Sequence, residues 1–342
     1  MQRYLLFGLL LMGSFANGQS GRASAAGMTT TLLSGQDSAL QLFEQALTYI
    51  QRNPFKKELA WDSLVCNARE QLSDASTVRD AYAAINQCLQ QVRGGHSFLM
   101  PAKRAALYHN DTTSLKRSSA LHEVMGTITA RLEDGNIGYL EVPWISTTDK
   151  AICTRIADSL QTLIGQLADR GATRWVIDLR RNSGGNCWPM LAGMGPLLGD
   201  GVCGFFVRSG KATGFKYEAG AALYGTNLMC RVSQPIALTA VQRKQIVVLT
   251  GPKTSSSGEI LALAFKGMPN AKHIGEPTAG FTTANTTYSL LDGSTLVMSI
   301  SQEADRTGRI YEGKIAPDEL VRAGNPSEDT VKGRALMWLQ SL

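Results

Sequence analysis

The sequence predicts an α/β protein whose mixed core follows a small helical domain. Between residues 120 and 325, short apolar runs typical of strands alternate with longer stretches of helical periodicity. Between residues 36 and 93, apolar residues recur three and four positions apart, which is typical of packed helices. These two patterns set the expected architecture.

The N-terminus has the parts of a secretory signal peptide. Arg3 supplies a positive charge, Tyr4 to Met12 form a short apolar run, and Ser14 and Ala16 are small residues at the positions that a signal peptidase recognises. The run is too short to span a bilayer as a mature helix. We therefore expect a signal peptide over residues 1–16, an exported (periplasmic or extracellular) protein and no stable membrane insertion.

The remaining chain divides by composition and periodicity. Residues 17–35 are rich in small and polar residues and predict a disordered lead-in. A helical domain is expected over 36–93, and a connecting segment with a histidine loop and a first strand over 94–134. The main core is expected over 135–325, and a C-terminal helix over 326–342.

The elements expected in and before the core follow from local patterns. In chain order they are strands over 118–132 and 137–143, a helix over 148–171, a strand over 174–179, a short helix over 189–198, a strand pair over 205–216, an irregular stretch over 219–240, a strand over 246–249, a helix from 259, a short strand from 273, and a hairpin of 286–291 with 294–301 across Asp292-Gly293.

Composition argues against several classes of function. The net charge of +6 is spread along the chain without a Lys/Arg block, so nucleic acid is not an expected partner. With four histidines and no CxxC pair, neither a metal site nor another cofactor is expected. The cysteine pattern leaves three alternatives open: a Cys66–Cys88 disulfide, a disulfide among Cys187, Cys203 and Cys230, or free cysteines.

One stretch joins a buried strand to a helix through a turn of small residues. The strand Ile246 to Leu249 is stopped by Gly251-Pro252, and the turn Thr254 to Gly258 leads into a helix that begins near Glu259. This arrangement places a serine hydroxyl at a helix N-terminus, where free N–H groups can stabilise a developing oxyanion. The alternative is that these serines only cap the helix.

A second stretch ends a buried strand in a glycine turn. Residues 178–185 read Asp-Leu-Arg-Arg-Asn-Ser-Gly-Gly, with neither the Lys of a phosphate-binding loop nor the glycine pattern of a dinucleotide fold. The amides of Gly184, Gly185 and Ser257 are candidates for an oxyanion hole beside Ser256. An ordinary β-turn is the alternative.

Several motifs in a fixed order resemble one family. They are residues 176–185, 248–260, 274–280, 291–296 and 311–318, within a match over about 135–320. Together they are similar to the carboxyl-terminal-processing (tail-specific) serine proteases and to the tricorn-type protease core. The resemblance implies a crotonase/ClpP-like fold and hydrolysis of peptide or protein substrates. It also implies that the nucleophile is Ser256, three residues before Glu259, with Ser255 as the second choice.

Two departures from the family pattern affect the mechanism. The segment between Leu121 and the strand that begins at Ile137 is too short for the peptide-binding PDZ domain of tail-specific proteases, so this domain is not expected. The position of their catalytic lysine is occupied by Phe281, which we expect to contact substrate instead. The tricorn-type branch takes its base from a histidine before the core, and His96 in Gly-Gly-His-Ser-Phe resembles it. His109, His122 and His273 are expected to have no role in catalysis.

The resemblance also points to an orienting carboxylate, and the residues nearby offer a substrate-binding arginine. Glu312 is the nearest match to the family's glutamate, although one residue out of register, and Glu276 and Asp305 are alternatives. Arg306 and Tyr311 are candidates for binding a substrate carboxylate. A surface salt bridge is the alternative role for the arginine.

The expected function is therefore an exported serine endopeptidase that acts through a Ser256 acyl-enzyme with His96 as general base. Two alternatives remain at this point. One is an inactive family member that binds peptides or apolar ligands, as the missing lysine suggests. The other is an acyl-CoA-type enzyme on the same core, which the absence of a basic cluster for phosphates disfavours. The substrate and the oligomeric state are left open.

Overall fold

The structure of the protein, a computed structural model, describes residues 34–57, 61–109, 125–134, 136–239, 241–243, 245–324 and 329–342. The predicted signal peptide, nearly all of the predicted lead-in, residues 118–124 of the first predicted strand and His122 lie outside the described residues. Among the described helices, none is both long and apolar enough to cross a membrane.

Eight α-helices are described: α1 (Gly35–Gln51), α2 (Trp61–Gln71), α3 (Ala81–Leu89), α4 (Ala102–His109), α5 (Lys150–Asp169), α6 (Cys187–Leu198), α7 (Ser257–Phe265) and α8 (Thr330–Gln340). The described strands are β1 (Phe98–Met100), β2 (Thr129–Glu133), β3 (Ile137–Glu141), β4 (Arg174–Asp178), β5 (Gly201–Arg208), β6 (Lys211–Glu218), β7 (Ala221–Tyr224), β8 (Asn227–Arg231), β9 (Gln245–Thr250), β10 (Ala271–Gly275), β11 (Thr283–Ser289), β12 (Thr295–Ala304), β13 (Ile310–Tyr311) and β14 (Glu319–Leu320). The mixed α/β class predicted from the sequence is confirmed.

The described chain forms two units. The smaller unit contains residues 34–109 and 285–300, and the larger contains residues 125–284 and 301–342. In the smaller unit, the apolar stripe of α1 packs with residues of α2 and α3 and with Leu290, Leu296 and Met298 from the hairpin. The hairpin predicted across Asp292-Gly293 is present, since β11 pairs with β12. The three predicted helical stripes therefore bury their apolar faces partly on strands.

The larger unit has a six-stranded sheet in the order β14-β10-β9-β4-β3-β2. Its strands are parallel except for β2, which runs antiparallel to β3. The central strands β4 and β9 are buried and rich in Val and Ile, as expected for a parallel sheet covered on both faces. The apolar side of α8, including Val331 and Leu339, packs on this sheet.

A second layer of the larger unit is antiparallel. Strands β5 to β8 pair in sequence, and the end of β12 pairs with β5. The prediction that residues 219–240 are irregular is wrong for β7 and β8. Both strands are only four or five residues long, and tight turns with positive φ at Gly220 and Gly225 join them to their neighbours. Such short strands have no clear period of two in the sequence.

The cysteines settle one alternative. All six cysteines are free thiols, and all but Cys66 are buried. Burial without a positive neighbour raises the pKa of the Cys88 thiol to about 11. Neither predicted disulfide is present in the structure.

An ion-pair network joins the end of β4 to the start of α8. Arg180 donates from Nε to Asp178 Oδ1 at 3.0 Å and from Nη1 to Asp329 Oδ1 at 2.6 Å. Asp178 is only 3% exposed and also accepts from the Tyr139 hydroxyl. Asp329 caps α8 by accepting from the N–H of Lys332. Arg180 thus satisfies a buried carboxylate and fixes a helix end.

We expect Arg180→Ala to lower the free energy of unfolding by about 2 kcal/mol, because a largely buried Asp178 loses its counter-charge. The neighbouring Arg181 is the matched control, since its side chain is 83% exposed and lies 3.9 Å from Glu141. Arg181→Ala should change stability by less than about 0.5 kcal/mol. Urea denaturation followed by tryptophan fluorescence measures both, and equal losses would contradict the prediction.

Candidate active site

Ser256 lies in a strained turn between β9 and α7. Its backbone has φ 53° and ψ −118°, and the residue is 1% exposed. A positive φ is uncommon for a residue with a side chain and costs about 1 to 3 kcal/mol where the surroundings enforce it. Helix α7 begins at the next residue. The turn therefore holds a serine at the N-terminus of a helix, in the manner of a nucleophile elbow.

The carboxylate of Glu259 holds this turn. It accepts the N–H of Ser256 at 2.7 Å and, from the following loop, the N–H groups of Gly280 and Phe281, both at 2.8 Å. The Thr278 hydroxyl also donates to it. Four donors on four lone-pair positions suit an ionised carboxylate. One buried side chain thereby joins the turn of Ser256 to the loop that carries Phe281.

Two opposing effects determine the pKa of the Glu259 carboxyl. The residue is fully buried, and loss of solvation raises the pKa of its carboxyl to about 7, while the four hydrogen bonds act in the opposite direction. Protonation would remove one acceptor position and release one donor. The geometry of the turn is therefore best satisfied when Glu259 carries its charge.

The glycine turn after β4 packs directly against Ser256. Gly184 has φ +103°, and a Cβ added to it would lie 2.9 Å from the Cβ of Ser256 and 2.8 Å from the carbonyl oxygen of Ser255. Ser257 donates its hydroxyl to the carbonyl of Gly185 at 2.6 Å. Only glycine at position 184 allows this approach, so the two motifs form one site.

Asn182 determines which amides of this site are available. Its Oδ1 accepts the N–H of Gly184 at 2.9 Å, so this amide is engaged and is not an available oxyanion donor. Within the part of the chain that the structure describes, the N–H groups of Gly185 and Ser257 donate to no protein acceptor. These two amides are the donors that the site offers to a ligand.

His96 belongs to the smaller unit. It is 2% exposed, and its carbonyl accepts from Asn285 Nδ2 at 3.0 Å. The two preceding glycines have φ 94° and 63°, so the chain reverses there in a conformation that favours glycine. His273, in the larger unit, is buried on β10, and burial lowers its pKa to about 3. His96 and His273 are thus both buried, the first in the smaller unit and the second in the larger unit.

The three candidate orienting carboxylates have different surroundings in the larger unit. Glu312 is exposed and accepts from the side-chain amide of Gln302. Asp305 is buried and accepts from Thr307 and the Tyr311 hydroxyl, and these bonds lower its pKa against the opposing effect of burial. Glu276 is half-buried. The orienting role of Glu312 stays a prediction from the resemblance.

The proposed substrate-binding arginine contacts a helix end. Arg306 donates from Nη2 to the carbonyl of Ala264, in the last turn of α7, at 2.6 Å. Such a contact satisfies an orphan carbonyl and places a cation at the negative end of the helix dipole. Tyr311 donates to Asp305. Contact of Arg306 and Phe281 with substrate therefore stays a prediction.

Glu303 is a buried residue near the site that sequence reasoning missed. It lies on β12 opposite Phe206, is fully buried, and donates its N–H to the carbonyl of Thr282. Neither oxygen of its carboxyl has a hydrogen-bond partner among the described residues. Burial, with a contribution from the charge of Glu259, raises its pKa well above the ordinary value. Burial without partners therefore favours the neutral form of Glu303, whereas the four donors around Glu259 favour its charged form.

Comparison with known proteins identifies the family. The model of peptidase family S41 matches residues 136–321. The chain belongs to peptidase family S41. The tail-specific protease family expected from the motifs is thereby confirmed at the level of the family.

This S41 peptidase is 30% identical over 275 residues to the nisin-resistance protein of Lactococcus lactis subsp. lactis, a match that covers 80% of this chain and 77% of the relative. It is 26% identical over 237 residues to the carboxy-terminal processing protease CtpA of Bacillus subtilis (strain 168), covering 68% of this chain and 45% of that protein. A solved structure of a lipoprotein from Streptococcus agalactiae superimposes with a TM-score of 0.67 and 22% identity, over 92% of this chain and 99% of that one. The last match shows the fold alone.

Two residues of this S41 site were missed although the sequence carries a signal for each. Ser256-x-x-Glu259 has the spacing of a capping box, in which the glutamate bonds the N–H of the first residue. Asn182 two positions before Gly184 has the spacing of an Asx turn. Both signals concern hydrogen bonds to the backbone and not reactive side chains.

Glu303→Gln should stabilise the protein, increasingly so at higher pH. The folded state holds a proton on Glu303 that the unfolded chain releases more easily. The contribution of Glu303 to stability is therefore complete below about pH 4 and is lost as the pH rises. Glutamine does not titrate, so the advantage of the variant should grow with pH above the ordinary pKa of a glutamate, by at most about 1.4 kcal/mol per pH unit.

Thermal unfolding at several pH values measures this difference. Glu312→Gln removes the same charge from an exposed position and should leave the melting temperature close to that of the unmodified protein. A constant difference between Glu303→Gln and the unmodified protein across the pH range would show that Glu303 is not the buried neutral acid inferred above.

Proposed function

We propose that the protein is an exported serine endopeptidase that cleaves peptides or proteins through an acyl-enzyme on Ser256. One observation carries the proposal: a strained serine at the start of α7 packs against a glycine turn, beside two amides that have no acceptor among the described residues and can bind an oxyanion. Ser256, rather than Ser255, is the nucleophile, because Ser256 has the strained conformation.

His96 is the proposed general base. In the reaction, the Ser256 hydroxyl attacks the peptide carbonyl while its proton passes to the neutral imidazole. The imidazolium then gives this proton to the leaving amine, and water hydrolyses the acyl-enzyme by the same route. Support for His96 comes from its position after two glycines, which resembles the tricorn-type branch, and from Phe281 at the position of the family lysine.

The amides of Gly185 and Ser257 are the proposed oxyanion donors. Both belong to backbone that other contacts fix, Gly185 through its carbonyl bond from Ser257 and Ser257 through the first turn of α7. Preorganised donors need no rearrangement when charge develops on the substrate oxygen. Gly184 was also predicted as a donor. Its lack of a side chain instead lets the glycine turn approach the turn that carries Ser256.

The substrate class follows from the family. The name of the Lactococcus relative refers to nisin resistance, and the name of the Bacillus relative refers to carboxy-terminal processing. We propose a peptide or protein substrate, and removal of a carboxyl-terminal segment is the first activity to test. The predicted signal peptide supports a site of action outside the cytoplasm.

Labelling with a fluorophosphonate probe tests the nucleophile and the base. The unmodified protein should label, Ser256→Ala should not, and His96→Gln should label about a hundredfold more slowly because the serine loses its base. Ser255→Ala and His273→Gln are matched controls, since each replaces a buried residue of the same type that has no role in the proposal.

Each variant reports on one assignment. Loss of labelling in Ser255→Ala with retention in Ser256→Ala would move the nucleophile by one residue. Full labelling of His96→Gln would remove His96 as the base. A protein that does not label at all, while folded by circular dichroism, would favour the alternative of an inactive member that binds peptides.

Gly184→Ala should slow labelling by about a hundredfold or more. The added Cβ would collide with Ser256 and with the Ser255 carbonyl, and it would be strained by the positive φ. Gly210→Ala is the matched control, because Gly210 also has a positive φ, +75°, but nothing lies within 4 Å of an added Cβ. This variant should lose about 1 kcal/mol of stability and label normally. Equal labelling of the two variants would contradict the proposed packing.

A further inference from the structure

A cavity of about 270 Å³ lies at the C-terminal end of α6, in the larger unit. Its walls come from the end of α6, from β6 and from the segment after β8. Pro196, Tyr217, Pro235, Ile236 and Leu238 give it a largely apolar lining. Since α6 has 12 residues, its length of about 18 Å separates this cavity from the glycine turn at its other end. The cavity is thus remote from Ser256.

Arg243 supplies the positive charge of the cavity. It belongs to a short 3₁₀ turn that is fixed by two bonds to its backbone: Asn270 donates to the carbonyl of Arg243 at 2.8 Å, and Trp175 donates to the carbonyl of Gln242 at 2.7 Å. Its Nη1 lies beside Gly199, where an added Cβ would approach it to 2.9 Å. These two backbone bonds and the close approach of Gly199 therefore fix the position of Arg243 at the cavity wall.

The guanidinium of Arg243 lacks a counter-charge among the residues that the structure describes. Its Nε is buried without a hydrogen-bond partner, and the side chain makes no ion pair with any residue that the structure describes. A buried donor of a charged group is costly to leave unsatisfied. An anion on the Nε–Nη edge would satisfy it with two parallel bonds, and a carboxylate has the matching planar geometry.

The other cavity residues narrow the class of ligand. Asp200 lies at the exposed rim, where its Oδ1 accepts the N–H of Ala219. This carboxylate disfavours a ligand with two negative charges and can accept an N–H from a ligand with one. The volume is just below the roughly 300 to 1,000 Å³ typical of pockets for drug-sized ligands, so the ligand is small.

We propose that this cavity binds a small carboxylate with an apolar body, such as the C-terminal residue of a peptide. The carboxylate binds the Nε–Nη edge of Arg243, and the apolar body lies against Pro196, Ile236 and Leu238. The N–H next to the carboxylate faces Asp200. This site is independent of the chemistry at Ser256, since it needs neither the nucleophile nor the base.

Ligand-observed NMR titration of the full chain tests the proposal, with N-acetyl-leucine as the probe and N-acetyl-leucinamide as its uncharged counterpart. Because the readout is binding alone, its outcome is separate from the labelling experiments on Ser256. The acid should bind with a dissociation constant in the millimolar range, and the amide at least about tenfold more weakly. Equal binding of the two probes, or no binding of the acid at tens of millimolar, would overturn the proposal.

Variants locate the site. Arg243→Gln should weaken binding of the acid by about tenfold or more, whereas Arg79→Gln removes an exposed arginine of the smaller unit and should leave binding unchanged. Ala237→Trp keeps Arg243 but fills the cavity from an exposed position, and it should also abolish binding. This second variant keeps the test decisive if Arg243→Gln does not fold. Unchanged binding in both cavity variants, or an equal loss in Arg79→Gln, would refute the site.

A third ligand distinguishes the two sources of a carboxylate. 4-Methylpentanoate has the same apolar body as N-acetyl-leucine but lacks the N–H. Tighter binding of N-acetyl-leucine would assign the cavity to peptide C-termini through Asp200, and Asp200→Asn should then reduce that preference. Equal binding would assign it to free carboxylic acids with Arg243 as the determining residue.

Discussion

The candidate site depends on the carboxylate of Glu259. It is the acceptor for the N–H of Ser256 and for two N–H groups of the loop after β10, so both segments are positioned by one buried group. Ser256 is in a strained conformation that its own residue type disfavours, and such strain persists only where the surroundings enforce it. The bond from Ser256 N–H to a buried carboxylate is that enforcement. Because the carboxyl lies at the start of α7, the helix dipole also favours its charge.

A second buried side chain, the neutral amide of Asn182, fixes the glycine turn. Asn182 is fully buried, accepts the N–H of Gly184, donates to the carbonyl of Pro143, and accepts the N–H of Ser255 on its own carbonyl. Gly258 lies so close that an added Cβ would approach the carbonyl of Asn182 to 2.6 Å. Asn182 therefore connects the end of β4 to both sides of the Ser256 turn. This side chain occupies the amide of Gly184, whereas the amide of Gly185 has no acceptor among the described residues.

The sequence predicted the elements whose local signals agree with their tertiary environment. The strand β9, the turn of small residues and α7 follow from β-branched residues, a Gly-Pro stop and helix formers in that order. It failed for β7 and β8, whose pairing is set by neighbouring strands and tight turns rather than by a period of two. It also could not show that Asn285, 189 positions after His96, donates to the carbonyl of that histidine. Local periodicity carries no information about such distant partners.

Two buried glutamates near the site illustrate why the charge of a side chain cannot be read from its residue type. Glu259 has four donors and Glu303 has none among the described residues, although burial raises the pKa of both. The difference matters for the proposed chemistry. A charged Glu259 already offsets part of the positive potential that the N-terminus of α7 presents to an oxyanion. A second negative charge on Glu303 would offset more of it, so a neutral Glu303 preserves the field at the Ser257 amide. Burial of Glu303 without partners among the described residues is costly for stability, but it is compatible with catalysis because it favours the protonated form of this carboxyl.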